Sequence, residues 1–182
     1  MMVFVDGENL TMRFQDMVKK GRTPRPEVKL IPDIFVWQPQ TIVEALRVEI
    51  VRVTYYSYAV GTEEQFKKWC EDIRGIPYQF RESVGQWHGE GFLYPKLFKK
   101  LKQSAKRKGV DISIAVDALS HTHRDSIDIV YLISGDGDYR PLIEEIIRSG
   151  KQVYLGALSD GLNSDLPNIV DKFFNLDNVY FR

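Results

Sequence analysis

Two short apolar runs that end in aspartate constrain this sequence more than any other feature. Residues 2–5 are all apolar and are followed by Asp6 and Gly7, and residues 129–133 are followed by the segment SGDGD. Apolar runs without polar alternation are typical of strands buried on both faces, which occur in parallel sheets covered by helices. The pattern predicts an α/β fold, a three-layer α/β/α sandwich with a mainly parallel central sheet.

Helices and strands alternate along the rest of the chain. Thr62 and Gln65 are spaced for a capping box at the start of a helix that ends at Gly75, and residues 110–119 predict a helix opened by Asp111 as its N-cap. The C-terminal part predicts a helix at 141–148, a strand at 152–155, a helix near 169–174 and a terminal strand at 179–181.

Two stretches interrupt this alternation, and both are predicted to be insertions in one domain that spans residues 1–182. Residues 21–39 contain four prolines and little periodicity, which is typical of a loop or inserted flap. Residues 84–108 form the second insertion. We expect residues 31–39 to be exposed and to dock against a second copy of the chain, which makes a homo-oligomer a further prediction.

Composition narrows the setting in which the protein works. The 182 residues carry no formal net charge and include one cysteine, Cys70, which cannot form an internal disulfide and suits a reducing cytosol. No apolar run approaches the roughly 18 residues of a membrane span. We therefore expect a cytoplasmic protein that has no membrane partner.

Aspartates follow both apolar strands at the edge where sites of open α/β sheets lie. Asp6, Asp136 and Asp138 would repel one another there unless a cation neutralised them, and Mg²⁺ or Mn²⁺ prefers carboxylate oxygens and water. Asp111, at the start of its helix, is a candidate fourth ligand. Asp117 lies six residues further along that helix and ranks below Asp111. The sequence therefore predicts an acidic metal site.

Each of these residues also has a purely structural interpretation, which the sequence leaves open. The Asp136/Asp138 pair could supply turn and helix-cap residues, and Asp111 could be an ordinary N-cap. The neighbouring glycines, Gly135 and Gly137, would let the backbone turn and leave room for a phosphate or an ion, as would the glycine after Asp6.

Three blocks of the sequence together resemble the NYN family, in the LabA-like (DUF88) branch of the PIN-like nucleases. They are VFVDGENL at 3–10, KGVDISIAVDAL at 108–119 and VYLISGDGDYRPLIEEIIRSGKQV at 130–153. The resemblance implies a PIN-like sandwich that uses Mg²⁺ or Mn²⁺ to cleave RNA. It implicates Asp6, Asn9, Asp111, Asp117, Ser134, Asp136 and Asp138. Relatives add a glutamate from an early helix, for which Glu44 is a weak candidate.

A basic segment offers a contact for the RNA backbone. Residues 96–108 hold seven lysines and arginines and no acid, although a solvated helix face would look the same. The predicted RNA-binding residues are Lys99, Lys100, Lys102, Lys106, Arg107, Lys108 and Arg140. The predicted partner is single-stranded or structured RNA, and Trp87, His88 and Tyr94 could stack on its bases.

Two functions stay open on the sequence alone. The first is a metal-dependent ribonuclease, and the second is a catalytically inactive NYN-type module that binds RNA or a protein partner. A haloacid-dehalogenase-like phosphatase is disfavoured because position 8 is Glu8 rather than aspartate. A dinucleotide-binding enzyme is disfavoured because no GxGxxG follows the first strand.

Overall fold

The structure, a computed structural model, describes residues 1–42, 48–81, 88–99 and 109–182. The strands are β1 (Met2–Asp6), β2 (Lys29–Ile31), β3 (Phe35–Trp37), β4 (Arg52–Ala59), β5 (Pro77–Arg81), β6 (His88–Phe92), β7 (Tyr94–Lys99), β8 (Ile129–Ile133), β9 (Gln152–Ala157) and β10 (Lys172–Asn175). The helices are α1 (Gly7–Lys19), α2 (Glu63–Arg74), α3 (Gly109–His123), α4 (Arg140–Arg148), α5 (Leu166–Ile169) and α6 (Asp177–Tyr180), and a 3₁₀ turn covers Gly137–Tyr139.

The main sheet has six strands in the order β10-β9-β8-β1-β4-β7, and every neighbouring pair is parallel. Helices cover it, which confirms the predicted α/β fold with a parallel central sheet. Within the described ranges, no helix is both long and apolar enough to cross a lipid bilayer.

Side chains of β1 alternate between two cores, one on each face of the sheet. Val3 and Val5 pack with α1, α2 and the β2–β3 hairpin, whereas Met2 and Phe4 pack with α3 and α4. Because strand side chains have a period of two, Asp6 points to the same face as Met2 and Phe4. The strand therefore directs Asp6 towards the side of the sheet that α3 and α4 cover.

Residues 34–38 of the first predicted insertion belong to the core, so for them the expectation of an exposed segment was wrong. β2 and β3 form an antiparallel hairpin, and residues 34–38 are buried. The Phe35 ring lies 4.7 Å from the Tyr55 ring, and Ser57 Oγ donates a hydrogen bond to the carbonyl of Ile34. The surface on which we expected a second copy to dock is therefore largely inside the protein.

The basic segment and the second predicted insertion are described only in part. Residues 96–99 belong to β7, an edge strand of the main sheet, and β6 pairs antiparallel with β5 in a separate two-stranded sheet. Residues 100–108 lie outside the described ranges. The insertion boundaries remain predictions.

The C-terminal elements differ from the prediction, because residues 172–175 form a strand and residues 177–180 form a helix. β10 adds to the sheet beside β9. Phe173 packs on the α4 side, and Phe174 packs on the opposite side against Tyr131 and Tyr154. Consecutive phenylalanines that serve two opposite cores need the period of a strand, which a helix cannot supply.

Replacing Phe35 with alanine tests whether the hairpin belongs to the core. We expect Phe35→Ala to lower the free energy of unfolding by about 3–5 kcal/mol, because it empties a fully buried site beside Tyr55. Leu30→Ala in the same hairpin is the control, since Leu30 is 44% exposed and should cost below about 1 kcal/mol. Urea unfolding measures both, and equal losses would contradict the core assignment.

Candidate active site

Asp6 ends β1 and begins α1, and it is held there by hydrogen bonds. One carboxylate oxygen accepts the backbone N–H of Asn9 at 3.0 Å, which caps the helix, and the other accepts the Ser134 hydroxyl at 3.0 Å. A side chain at Gly7 would lie 2.1 Å from the ring of Tyr55. Tyr55 therefore occupies the space that the sequence assigned to a phosphate or an ion at Gly7.

Asn9 and Ser134 tie the ends of the two central strands together. The side-chain carbonyl of Asn9 accepts the backbone N–H of Gly135 at 3.1 Å, and Ser134 Oγ accepts that of Asp136 at 3.2 Å. The strands are in register, with Val5 beside Ile133, so the residues that follow them meet across the strand boundary. Asn9 and Ser134 thus fix the orientation of the Asp6 carboxylate.

Asp136, but not the side chain of Asp138, takes the structural role that the sequence left open for the pair. Asp136 caps the 3₁₀ turn by accepting the backbone N–H of Asp138 at 2.9 Å. A side chain at Gly137 would lie 2.4 Å from Asn163, so the neighbouring loop fills the space that we expected for a ligand. The Asp138 side chain is exposed and lines a cleft of about 460 Å³ between α3 and α4, together with Asp111.

Asp111 lies inside the first turn of α3, so its predicted role as N-cap was wrong. The helix begins at Gly109, and the backbone N–H groups of Gly109 and Val110 donate to the hydroxyl of Tyr58 at 2.6 and 3.2 Å. The carboxylate of Asp111 instead accepts the Tyr139 hydroxyl at 3.2 Å. Asp111 therefore faces the end of the sheet, as a site residue must.

The electrostatics show which carboxylates converge. Burial raises the pKa of Asp6 to about 7, against the hydrogen bonds from Asn9 and Ser134, and the charges of Asp111 and Glu8 raise it further. Burial raises the pKa of Tyr139 first, and the charges of Asp6 and Asp111 raise it further. Tyr139 therefore lies near both carboxylates, and its hydroxyl donates to that of Asp111.

Sequence reasoning missed Tyr139 and Glu8 as members of this group. Glu8 follows Asp6 by two positions in the first turn of α1, where its charge acts on Asp6. A helix start directly after Asp6 would have revealed it. Tyr139 carried no such signal, because its position depends on the 3₁₀ turn that precedes α4. The weak candidate Glu44 lies outside the described residues.

Asp117 is placed apart from this group, contrary to its assignment as a metal ligand. It forms an ion pair with Lys96 on β7 and accepts the hydroxyl of Tyr56. Although partial burial raises the pKa of Asp117, the hydrogen bonds from Lys96 and Tyr56 lower it overall. Asp117 joins α3 to the edge strand.

The predicted RNA contacts are only partly described. Lys99 pairs with Glu63, and Arg140 pairs with Glu144 at 2.8 Å and with Asp165 at 3.6 Å. The remaining residues, Lys100, Lys102, Lys106, Arg107 and Lys108, lie outside the described ranges, as does Trp87, and the side chain of His88 is not described. Tyr94, far from the acidic edge, lies between two arginines rather than beside the carboxylates, with Arg52 and Arg74 over its ring at 5.3 and 5.6 Å.

The predicted metal site stays a prediction, for which two carboxylates rather than a larger cluster are available. Among the described residues, no group of three or more histidine, cysteine, aspartate or glutamate side chains is arranged to hold a metal ion. Asp111 nevertheless accepts the Tyr139 hydroxyl, and its charge is among the causes that raise the pKa of Asp6. Mg²⁺ is commonly bound through one or two carboxylates, with water and substrate phosphates completing its shell. The donor set at this edge fits such an ion.

A parallel α/β domain with a buried carboxylate at the carboxyl edge of its strands belongs to the class that places its site at this edge. A family model for the NYN domain matches residues 1–177. The chain therefore belongs to the NYN domain family, a PIN-like nuclease family. The LabA-like branch stays a prediction.

Other comparisons bear on the fold alone. No curated protein matches the chain. The crystal structure of a protein of unknown function from Vibrio parahaemolyticus is similar to it, with a TM-score of 0.63 and 17% identity over 100% of this chain and 94% of that one. The likeness supports the three-layer architecture described above.

The raised pKa of Asp6 predicts a distinct pH dependence of stability. Because the folded pKa of about 7 exceeds the ordinary aspartate pKa of 3.8, the unfolded chain releases this proton first, and stability falls as pH rises between these values. We expect Asp6→Asn, which keeps the cap, to gain stability relative to wild type over this window, by up to about 4 kcal/mol at about 1.4 kcal/mol per pKa unit.

Urea unfolding in chelator across this window measures the difference. Asp125→Asn is a control of opposite sign, because a hydrogen bond from Lys151 lowers the pKa of this exposed carboxyl, and the variant should lose a little stability above its pKa. A stability difference between Asp6→Asn and wild type that does not change with pH would contradict the burial of an ionisable Asp6.

Proposed function

We propose that this protein is a metal-dependent ribonuclease that hydrolyses RNA phosphodiester bonds where Asp6 and Asp111 converge. The observation that carries the proposal is the buried Asp6 carboxylate at the end of β1, near the Asp111 carboxylate of α3, which accepts the Tyr139 hydroxyl and whose charge acts on Asp6. Membership of the NYN domain family supports nuclease chemistry at this edge.

Asp6 and Asp111 would hold Mg²⁺ or Mn²⁺, which supplies positive charge to the phosphate and acidifies a bound water. The protein's own groups prepare these ligands. Asn9 and Ser134 fix the rotation of the Asp6 carboxylate, and Tyr139 donates a hydrogen bond to Asp111. Burial of Asp6 strengthens its attraction to a cation, since the field of a charge is screened less away from water.

Asp138 is proposed to act from the rim, because its exposed carboxylate lines the same cleft as Asp111. Asp136 is proposed to have an indirect role. Its carboxylate accepts the backbone N–H of Asp138 and so stabilises the turn that contains Asp138 and Tyr139. The phosphate backbone is proposed to reach this edge along residues 96–108 and Arg140, with affinity that falls as salt rises.

Cleavage of RNA by matched variants tests the proposal. We expect purified wild-type protein with Mn²⁺ to cleave a mixture of single-stranded and structured RNAs, and Asp6→Asn and Asp111→Asn each to reduce the rate by about 100-fold or more. Asp125→Asn is the matched control, because Asp125 lies after the end of α3 and pairs with Lys151. This variant should cleave RNA at the wild-type rate. Equal cleavage by all four proteins would indicate a contaminating nuclease and sink the proposal.

The second candidate is an inactive module that binds RNA or a protein partner. It is favoured by the lack of a three-ligand cluster within the described part of the chain. Wild-type protein that retains RNA in a filter-binding assay, yet leaves it intact with Mn²⁺ or Mg²⁺, would establish this function in place of the ribonuclease.

A further inference from the structure

A second cleft, of about 410 Å³, lies beside the acidic edge and is not used by the proposed chemistry. Its walls come from α1, the tip of the β2–β3 hairpin, the end of β4, and α2. The lining residues are Glu8, Thr11, Met12, Gln15, Pro32, Asp33, Ile34, Tyr58, Ala59, Val60 and Trp69. A volume of this size falls in the range of about 300–1,000 Å³ that is typical of small-ligand sites.

Glu8 connects this cleft to the proposed catalytic edge. Its side chain is exposed and lines the cleft, and its charge is one of the causes that raise the pKa of Asp6. The last residues of β4 lie at the same edge of the sheet as Asp6, because β1 and β4 are parallel and adjacent. A group in the cleft and a phosphate at Asp6 can therefore belong to one short ligand.

The lining chemistry of the described residues disfavours a phosphate in the cleft itself. Among them, no lysine, arginine or histidine lines it, while two carboxylates, Glu8 and Asp33, do. A ligand part that fits carries no negative charge and donates hydrogen bonds. The apolar share of the wall comes from Met12, Ile34 and Trp69, which suits a flat ring.

Asp33 stands at the hairpin tip in a conformation that presents its carboxylate. It has a φ of 62°, in the left-handed region that aspartate and asparagine tolerate better than most residues. The turn is closed by the backbone N–H of Ile34, which donates to the carbonyl of Ile31 at 3.1 Å. Within the described residues, Asp33 makes no hydrogen bond or ion pair.

Trp69 is fitted closely into the opposite wall. A side chain at Gly61 would lie 2.8 Å from the six-membered ring of Trp69, so only glycine lets the indole lie against the end of β4. Phe66 contacts the same indole, with ring centroids 5.7 Å apart. The aromatic wall is therefore held in place by the fold of this chain.

We propose that this cleft binds a guanine base of the RNA, next to the phosphate that is cleaved. Guanine presents N1–H and the N2 amino group side by side, which a carboxylate can accept together. Adenine and cytosine present an amino group next to a ring nitrogen that is an acceptor, and uracil presents one N–H between two carbonyls. Each of these bases would therefore place an acceptor beside a carboxylate oxygen, which is unfavourable. Single-stranded bases are commonly recognised through this edge and by stacking on aromatic rings. The choice of RNA as ligand rests on the proposed function.

Nucleoside binding without metal tests the cleft separately from cleavage. In chelator, we expect guanosine to bind the full chain about tenfold more tightly than uridine, with adenosine and cytidine between them. Asp33→Asn, which keeps the size and the backbone conformation, should weaken guanosine about tenfold and leave uridine unchanged. Asp16→Asn is the matched control, because Asp16 pairs with Lys19 on α1 and does not line the cleft. Calorimetric titration measures each affinity.

The outcomes separate the two proposals. Guanosine preference in wild type and in Asp6→Asn, lost in Asp33→Asn, supports the guanine cleft whether or not the protein cleaves RNA. RNA cleavage together with equal affinity for all four nucleosides would overturn the cleft and leave the ribonuclease intact. An unchanged guanosine affinity in Asp33→Asn would also overturn it. Asp33 lies at a surface turn, so we expect Asp33→Asn to fold normally. The urea midpoints of this variant and of wild type, when compared, would reveal a folding defect.

Discussion

The burial of the Asp6 carboxylate at the end of the central strand is the interaction on which the rest of the site depends. A carboxylate away from water is costly unless hydrogen bonds or an opposite charge compensate it. Asn9, Ser134 and the start of α1 provide the hydrogen bonds, which join β1 to the loop after β8. They do not restore an ordinary pKa, so the folded protein retains an attraction for positive charge at this point.

Asp111, Glu8 and Tyr139 acquire their roles from that constraint. Asp111 and Glu8 add negative charge beside Asp6, and the Tyr139 hydroxyl donates a hydrogen bond to Asp111. In the proposed function this edge holds a divalent cation and a phosphate, and the neighbouring cleft is proposed to hold a base. The two parts of one nucleotide would then occupy adjacent surfaces of the protein.

The sequence predicted the features that depend on short-range pattern. Apolar runs located β1 and β8, and the capping box at Thr62 formed as expected. Prediction from the sequence failed where the role of a residue depends on partners that are distant in the chain. The hairpin at residues 29–37 lacks periodicity because both faces of β3 are buried, and Phe173 and Phe174 resemble a helix segment until two opposite cores are known.

Among the proposed site residues, chain position predicted that Asp6 lies at the end of its strand, where the structure has it. Helix spacing ranked Asp117 below Asp111, but it could not predict their partners Lys96 and Tyr139, which come from other elements. Diffraction from crystals soaked in Mn²⁺, recorded at the manganese edge, tests the convergence of Asp6 and Asp111 most directly. The account predicts an anomalous peak that contacts both carboxylates. A peak at Asp117, or at Asp136 without Asp6, would contradict it.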